Sequence, residues 1–310
     1  MDILQETDFE FYGLKKTGKV RDVYQQPHQI ILVTTDRHSS FDRIVAHVPY
    51  KGQILNQISA FWFDKTQDII SNHVLAIPDA NVTVAKKCTP IPIEAVVRGY
   101  ITGVTGTSLW THYSDGKRDF GNFILPEGLQ KNQKLQTPVF TPSTKDDAHD
   151  VTMSPSEMIE GGVITAGLMN QIENASMALY ERGVEIAKQH GLILVDTKYE
   201  FGLNENGMLT LIDEIHTPDS SRYWQLDSYE QRFAAQQEPE NFDKEFLRLW
   251  FKENCDPYGD TVLPEAPEDL VLELSHRYIH VYEQLTETKF TPGSAPILER
   301  IQRNLGDYIL

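Results

Sequence analysis

Residues 191–203 read GLILVDTKYEFGL, an apolar strand that charged residues interrupt at three alternate positions, Asp196, Lys198 and Glu200. Side chains alternate between the two faces of a strand with a period of two, so all three charges are expected on one face. The surrounding apolar residues favour a strand that is covered on both faces. Because an interior charge is costly unless it is paired, this cluster needs a functional partner more than an exposed one would.

The residues that follow this strand predict a hairpin. Asn206-Gly207 is a preferred type I′ turn, and residues 208–215 form the natural returning strand. A two-residue loop would place Asp213 directly opposite Glu200. A four-residue loop from Asn204 would make the two carboxylates diagonal neighbours, and both pairings keep them on the same face.

Two carboxylates this close repel each other unless a cation or a shared proton relieves the repulsion. Oxygen ligands of this kind suit Mg²⁺ that is held jointly with nucleotide phosphates. We therefore predict Glu200 and Asp213 as metal ligands. The alternative is a solvent-facing hairpin in which Lys198 pairs with its acidic neighbours.

The composition limits the classes of partner. With 40% hydrophobic and 24% charged residues the chain is typical of a globular enzyme, and its net charge of −17 argues against nucleic-acid binding. Two widely separated cysteines, Cys88 and Cys255, provide neither a disulfide framework nor zinc-ligand spacing, which favours a reducing compartment. No apolar run approaches bilayer length and the start lacks a leader pattern, so we expect a cytoplasmic protein without membrane contact.

An anionic substrate requires basic residues that are concentrated locally. Lys19 and Arg21 share one face of an early strand and could lie over a polyphosphate, although a surface strand is the alternative. Arg98 lies at the end of a predicted strand over 81–98. Taken by itself, an arginine in that position could simply form an ion pair at the surface. Periodicity predicts a helix over 53–70 and an amphipathic helix over 165–190 that Gly191 ends. The segment 102–149 is rich in Gly, Thr, Pro, Asp and Lys, which predicts long loops. The candidate buried positions of that second helix are Leu168, Ile172, Ala175, Leu179 and Ile186.

Residues 194–202, LVDTKYEFG, resemble the second signature of the phosphoribosylaminoimidazole-succinocarboxamide synthase family. The glutamate of that motif and the aspartate of the following strand bind the magnesium of ATP, which implies these roles for Glu200 and Asp213. Residues 91–103 resemble the first signature, which implies that Arg98 helps to hold the substrate 5′-phosphate. The usual pattern ends in Gly-Ser, whereas Val104 follows Gly103 here. The phosphate-binding hydroxyl is then Ser108 as first choice and Thr105 as second.

Four more segments resemble the family. Residues 18–24 are similar to its phosphate-covering strand, and residues 213–224 to its D-E-x-x-x-P-D-x-S-R-x-W element. Residues 35–42 resemble its D-R-x-S-x-F-D loop near the imidazole nucleotide, and residues 145–150 its K-x-D-x-H-D loop, for which a transition-metal site is the weaker alternative. The resemblance implies ATP contacts from Lys19, Arg21 and Lys145, and substrate contacts from Asp36, Ser39, Asp42, Asp150 and Arg222.

The matched segments imply an α+β architecture with two lobes and a cleft between them. Residues 1–90 are the expected β-rich lobe that covers ATP, and residues 91–310 are the expected α/β lobe with the metal hairpin, the substrate site and a helical tail. The implied reaction is ATP-dependent ligation of L-aspartate to 5-amino-1-(5-phosphoribosyl)imidazole-4-carboxylate (CAIR), which yields SAICAR, ADP and phosphate through an acyl phosphate.

The remaining site predictions concern Asp196 and Lys198 as catalytic candidates. Lys198 either steadies the metal carboxylates or reaches a phosphate. The expected cofactor is Mg²⁺, the expected partners are ATP, CAIR and L-aspartate, and the chain is a monomer or small homo-oligomer. Two alternatives remain, a small-molecule kinase with a related ATP site and a catalytically silent binding module.

Overall fold

A computed structural model describes residues 2–41, 43–145, 152–242 and 245–309. The strands are β1 (Leu14–Thr17), β2 (Arg21–Gln25), β3 (Gln29–Thr34), β4 (Arg37–Ser40), β5 (Arg43–His47), β6 (Val74–Asp79), β7 (Val82–Lys86), β8 (Thr89–Ile101), β9 (Gln133–Phe140), β10 (Ser143–Thr144), β11 (Leu192–Leu203), β12 (Leu209–Ile212) and β13 (Ser221–Gln225). The helices are α1 (Lys51–Thr66), α2 (Leu109–Ser114), α3 (Pro155–Glu160), α4 (Ala166–Gln189), α5 (Leu226–Ala234), α6 (Glu245–Asn254), α7 (Glu268–Thr286) and α8 (Ile297–Asn304). None of the helices in these ranges is both long and apolar enough to cross a bilayer.

The first part of the chain forms an antiparallel sheet with the strand order β1-β2-β3-β7-β6. β2 ends at Gln25 and β3 begins at Gln29, and the two strands pair antiparallel across a short turn. Apolar side chains from this sheet and from the N-terminal segment form a cluster of their own. Ile301 and Leu305, near the C-terminus, are fully buried in the same cluster. Helix α8 therefore packs on the N-terminal lobe, although the predicted division assigned it to the second lobe.

A buried ion pair holds α8 in place. The Arg300 Nε lies 2.9 Å from one carboxylate oxygen of Asp79, and its Nη2 donates to the other oxygen at 3.0 Å. The same Nη2 donates to the Asn81 side chain at 2.5 Å. Burial at both ends of this pair removes the screening that weakens surface ion pairs.

The second sheet has six strands and is built on β8 and β11, which are its two longest strands. Strands β9 and β10 pair with β8, and β12 and β13 pair with β11. Helix α4 packs on this sheet, and α1 and α7 contribute to the same large core. These layers of helix and antiparallel sheet make the fold α+β, as the sequence predicted.

Helix α4 begins after Thr165, whose side chain caps the Leu168 N–H, and a left-handed Gly191 follows its end as predicted. Ile172 and Leu179 are fully buried, and the other three predicted positions are partly buried against the core. Tyr180 is also fully buried. The helical pattern therefore identified the correct face of α4.

The prediction of long loops over residues 102–149 is wrong in part. This segment contains α2, β9 and β10, and β9 pairs with β8. Its apolar residues form a small core of their own around Leu109, Tyr113 and Leu135. The pairing with a distant strand, which local composition does not reveal, gives the segment its order.

Removal of the Arg300 charge should destabilise the fold. Arg300→Met leaves Asp79 buried without its cation, so we expect the free energy of unfolding to fall by about 3–5 kcal/mol in urea titrations. Arg182→Met breaks the exposed pair with Asp68 and should cost less than about 1 kcal/mol. Equal losses in the two variants would contradict the anchoring role of Arg300.

Candidate functional site

The hairpin of β11 and β12 has a different register from either predicted one. Glu200 pairs with Ile212, not with Asp213. Residues 204–208 form the loop, and the Asn204 side chain accepts hydrogen bonds from the backbone N–H groups of Asn206 and Met208. This side-chain turn lengthens the loop by one residue relative to the four-residue prediction and changes the parity of the pairing. Both predicted pairings are therefore wrong.

Asp213 nevertheless lies close to Glu200, for a different reason. β12 ends at Ile212, and Asp213 has a left-handed φ of 68°. A regular strand would have directed Asp213 to the opposite face from Glu200, but the left-handed residue redirects its carboxylate. Each of the two carboxylates interacts electrostatically with Lys198 and Arg21, and the charge of Glu200 raises the pKa of Asp213.

Three cationic side chains surround this carboxylate pair. Arg21 contacts Asp213, and its other terminal nitrogen lies 3.2 Å from Glu214. The Lys145 Nζ lies 2.5 Å from Glu200. The Lys198 Nζ lies 3.4 Å from the other oxygen of Glu200 and donates to a further carboxylate at 2.6 Å, which belongs to Glu94. We call this group the carboxylate cluster; its members are Arg21, Glu94, Lys145, Lys198, Glu200, Asp213 and Glu214.

The charges of the cluster change the pKa values of its members. Burial raises the pKa of Asp213 to about 6, although the Arg21 charge opposes this effect. Burial also acts to raise the pKa of Glu200, but Lys198, Lys145 and Arg21 more than offset it, so that pKa lies below its usual range. For Lys198 burial opposes the charged form, whereas Glu200 and Glu94 favour it and raise its pKa. Glu200 and Lys198 are thus held ionised.

A second group lies further toward the start of β11, on the same face. Asp196 accepts from the Arg222 Nη1 at 2.5 Å and lies 3.5 Å from the Arg98 Nη1. The Arg98 Nε donates to the Thr141 hydroxyl at 2.8 Å. Burial lowers the pKa of Arg98, and the nearby Arg222 charge adds to this effect. Two guanidinium groups therefore share one carboxylate.

Ser108 lies beside these arginines. A Cβ atom placed on Gly103 would lie 2.4 Å from the Ser108 Cβ and 3.4 Å from the Arg222 Nη2. Ser108 is buried, and its hydroxyl donates to the Thr105 carbonyl at 2.8 Å. Gly103 thus permits its backbone to lie close to Ser108 and Arg222, which any larger residue at this position would prevent. We call this group the arginine pair site; its members are Arg98, Ser108, Asp196 and Arg222.

Two further predicted site residues that the structure describes, Asp36 and Ser39, are not members of these two groups. Asp36 is buried, and its two oxygens accept from the N–H groups of Leu4 and Gly52 at 2.8 and 2.9 Å. Its carboxylate therefore serves the fold, which argues against the predicted direct contact with substrate. Ser39 is half-buried on β4. Two of the predicted residues, Asp42 and Asp150, lie outside the described residues.

The turn between β1 and β2 presents Lys19 as an exposed residue. Its carbonyl accepts from the Arg37 Nε at 3.2 Å, and a terminal nitrogen of the same arginine lies 2.8 Å from Asp22. The sequence analysis did not predict that Arg37 supports this turn. It also did not predict that Glu94 and Glu214 belong to the carboxylate cluster. Glu94 lies within the first signature, and only the pairing of β8 with β11 places it opposite Glu200.

The described residues contain no group of three or more His, Cys, Asp and Glu side chains arranged to hold a metal ion. A metal ion at the carboxylate cluster would therefore take only part of its coordination from the protein. Carboxylate oxygens are hard donors of the type that Mg²⁺ accepts, and this ion usually completes its shell with phosphate oxygens and water. The donor set fits Mg²⁺ that arrives with a nucleotide.

This combination of an α+β fold, a carboxylate cluster with basic neighbours and a separate arginine pair site is typical of ATP-using enzymes that act on a phosphorylated substrate. The family model of SAICAR synthetase matches residues 14–264. The chain belongs to the SAICAR synthetase family, and it has the role of an ATP-dependent ligase in purine biosynthesis.

Relatives from distant organisms support this assignment. The chain is 54% identical to the phosphoribosylaminoimidazole-succinocarboxamide synthase of Legionella pneumophila (strain Paris), over 98% of this chain and 99% of the relative. It is also 54% identical to the chloroplastic enzyme of Arabidopsis thaliana, over 94% of this chain and 72% of the relative. A solved structure of the SAICAR synthase from Saccharomyces cerevisiae, complexed with SAICAR, matches with a TM-score of 0.78 and 31% identity, over 93% of this chain and all of that chain.

The buried position of Asp36 predicts a pH-dependent stability. Burial raises the pKa of Asp36 to about 6, although the N–H groups of Gly52 and Leu4 oppose it. The folded state therefore favours the protonated carboxyl, and this contribution to stability is lost as the pH rises through about 6. In urea titrations at about pH 4.5 and 7, the stability advantage of the wild type over Asp36→Asn should shrink by roughly 1–3 kcal/mol.

Asp8→Asn is the matched control because Asp8 is exposed. The difference in unfolding free energy between Asp8→Asn and the wild type should stay constant over the same pH range. A wild-type advantage over Asp36→Asn that grows with pH would show that Asp36 is stabilised as a carboxylate in the folded state.

Proposed function

We propose that the chain joins the amino group of L-aspartate to the carboxylate of CAIR, with cleavage of ATP and through an acyl phosphate. The observation that carries this proposal is the common face of β11, on which Asp196, Lys198 and Glu200 follow one another at alternate positions. Asp196 of the arginine pair site and Glu200 of the carboxylate cluster are four positions apart on this strand, which corresponds to roughly 13 Å. One end can hold the phosphate of a ribonucleotide while the other holds a polyphosphate.

The chemistry requires an activated acyl group, because a carboxylate cannot expel oxide. In the proposed first step a carboxylate oxygen of CAIR attacks the γ-phosphorus of ATP, and ADP leaves. In the second step the free amine of L-aspartate attacks the acyl carbon, a C–N bond forms, and phosphate leaves as the nitrogen loses a proton. The protein's task is to position the reactants and to stabilise negative charge that develops on the phosphoryl group.

We assign Glu200 and Asp213 as the carboxylates that hold Mg²⁺. When bound, the ion neutralises charge on the nucleotide phosphates. Arg21 and Lys145 already contact these carboxylates, so they lie where nucleotide phosphates would approach, and we propose that they bind those phosphates together with Lys19. Lys198 lies between Glu94 and Glu200, which favours the role of steadying the metal carboxylates over that of reaching a phosphate.

We assign Arg98, Arg222 and Ser108 to the 5′-phosphate of CAIR. Two guanidinium groups beside one hydroxyl can make several charge-assisted hydrogen bonds to a phosphate. Asp196 contacts both arginines, and we propose that it orients them and takes no direct part in the chemistry. Ser39 stays a proposed contact to the imidazole nucleotide.

We also propose that residues 1–90 act mainly as the ATP-covering lobe and residues 91–310 as the substrate lobe, with α8 returning to the first. The net charge of −17 supports a chain that works without nucleic acid. We further infer that it works in the cytoplasm. We also infer that it is a monomer or small homo-oligomer, and light scattering on the purified chain would test this oligomeric state.

The direct test of the reaction measures ADP release with Mg-ATP and CAIR, with and without L-aspartate, together with SAICAR by absorbance. We expect equal amounts of ADP and SAICAR, both dependent on aspartate. ADP with a stable phosphorylated product that needs no amine would identify a kinase instead. The absence of turnover and of Mg-ATP binding would favour a binding module.

The metal assignment predicts that Glu200→Gln and Asp213→Asn each abolish turnover, with folding retained. Each change removes a negative charge that the ion requires, so Mg²⁺-dependent ATP binding in calorimetry should weaken as well. Glu205→Gln, an exposed change in the loop of the same hairpin, should leave both measurements unchanged. Near-normal activity in either site variant would remove that residue from the metal role.

The phosphate assignment predicts that Arg98→Met and Arg222→Met each raise the KM for CAIR at least tenfold, because each removes charge-assisted hydrogen bonds of about 1.5–3 kcal/mol. The KM for ATP should change little. Arg232→Met is the control, since Arg232 forms a partly exposed ion pair with Glu240. If the two site variants raise the KM values for ATP and for CAIR equally, the arginines do not form a dedicated site for the CAIR phosphate.

A further inference from the structure

Strand β11 is irregular immediately before its charged face. Its pairing with β13 shifts register between Leu194 and Asp196. Leu192 and Leu194 pack in the main core before this point, whereas Tyr199 and Phe201 do so after it. The residues that face the core therefore change from even to odd positions, as expected when one residue bulges out of a strand.

The neighbouring strand is irregular at the same level. Arg98 of β8 pairs with Asp196 of β11, and the pairing of β8 with β9 shifts register between Arg98 and Tyr100. Gly99 lies at this shift. Two adjacent central strands thus depart from regular geometry directly beside the arginine pair site.

The hydroxyl of Tyr180, from helix α4, lies at this position. It is 2.8 Å from the Leu194 carbonyl oxygen and 3.0 Å from the Val195 carbonyl oxygen. Successive carbonyls of a regular strand point in opposite directions, so a single hydroxyl reaches both only where the strand bulges. The same hydroxyl lies 2.1 Å from where a Cβ of residue 99 would be, so only glycine fits at Gly99 beside it.

We propose that Tyr180 is a positioning residue of the arginine pair site. Its hydroxyl holds the bulge in β11 against Gly99 of β8, and this geometry directs Asp196 and Arg98 toward the cleft. Tyr180 itself lies in the core and acts through the backbone. This inference rests on the proposed function, in which the arginine pair binds the substrate 5′-phosphate.

Tyr180→Phe isolates the hydroxyl because the ring and its packing remain. On one side Tyr180 borders a cavity of about 510 Å³, which Gly99 and Leu194 also line. Space is therefore present for the bulge to relax when the hydroxyl is removed. A matched control is Tyr24→Phe: Tyr24 is equally buried, and its hydroxyl donates to Thr7 and accepts from the Phe9 N–H, in the N-terminal cluster.

The test measures calorimetric binding of SAICAR and of the same compound without its 5′-phosphate. Wild-type protein should prefer the phosphorylated form, and Tyr180→Phe should reduce this preference at least fivefold, with the KM for ATP changed less than twofold. Tyr24→Phe should keep the wild-type preference. A general loss of stability weakens the binding of both ligands equally. The ratio of the two affinities therefore separates a positioning role from simple structural support.

Gly99→Ala provides a second variant that acts from the other strand. Its added methyl occupies the position of the Tyr180 hydroxyl, and we expect the same loss of phosphate preference. In the double variant Gly99→Ala with Tyr180→Phe, the removed hydroxyl makes room for the methyl, so the combined loss should be smaller than the sum of the single losses. This variant also tests the proposal if Tyr180→Phe does not fold.

An unchanged preference in Tyr180→Phe, or an equal loss in Tyr24→Phe, would overturn the proposal. So would strictly additive losses in the double variant. Arg98→Met and Arg222→Met, measured in the same way, test the proposed function separately. If they leave the phosphate preference intact, the phosphate assignment fails; if they remove it while Tyr180→Phe does not, only the role of Tyr180 fails.

Discussion

A strand that is covered on both faces can carry charged side chains only if they leave the apolar core. In β11 the bulge after Leu194 satisfies this requirement, because it exchanges the faces that even and odd residues occupy. Without it Asp196, Lys198 and Glu200 would continue the face of Leu192 and Leu194 into the main core. An unpaired charge there would cost several kcal/mol. Both the carboxylate cluster and the arginine pair site depend on this exchange.

The site also illustrates how an acidic protein can prepare for anionic ligands. The chain has a net charge of −17, yet the carboxylates of both groups have cationic neighbours within about ion-pair distance. Asp196 lies between two arginines, and Glu200 between two lysines. The carboxylates orient the basic side chains in a partly buried setting. Basic side chains are therefore gathered at these two groups, with their charges balanced by the carboxylates, where the phosphates of ATP and of the ribonucleotide would bind.

Contacts between parts of the chain that are distant in sequence set the relation of the two sheets. Arg21 belongs to the N-terminal sheet but contacts Asp213, which follows β12 of the central sheet. Lys51 is fully buried at the start of α1, and its amine lies 2.6 Å from Asp219, which also accepts from the Tyr278 hydroxyl at 2.7 Å. Since α1 and α7 share the main core, the N-terminal lobe is joined to the rest by buried polar contacts as well as by apolar packing.

By itself the sequence determined those features that depend on short-range periodicity and on intact motifs. The alternation around Lys198 predicted the charged face, helical spacing predicted the buried face of α4, and the two signatures indicated the family. Tertiary structure decided the register of the hairpin, since the Asn204 side chain lengthens its loop, and it decided the orientation of Asp213 through a left-handed φ. It also decided that Glu94 faces Glu200. These features arise from strand pairing across about a hundred residues and from single side chains that alter backbone parity, and local patterns of residue type contain no record of either.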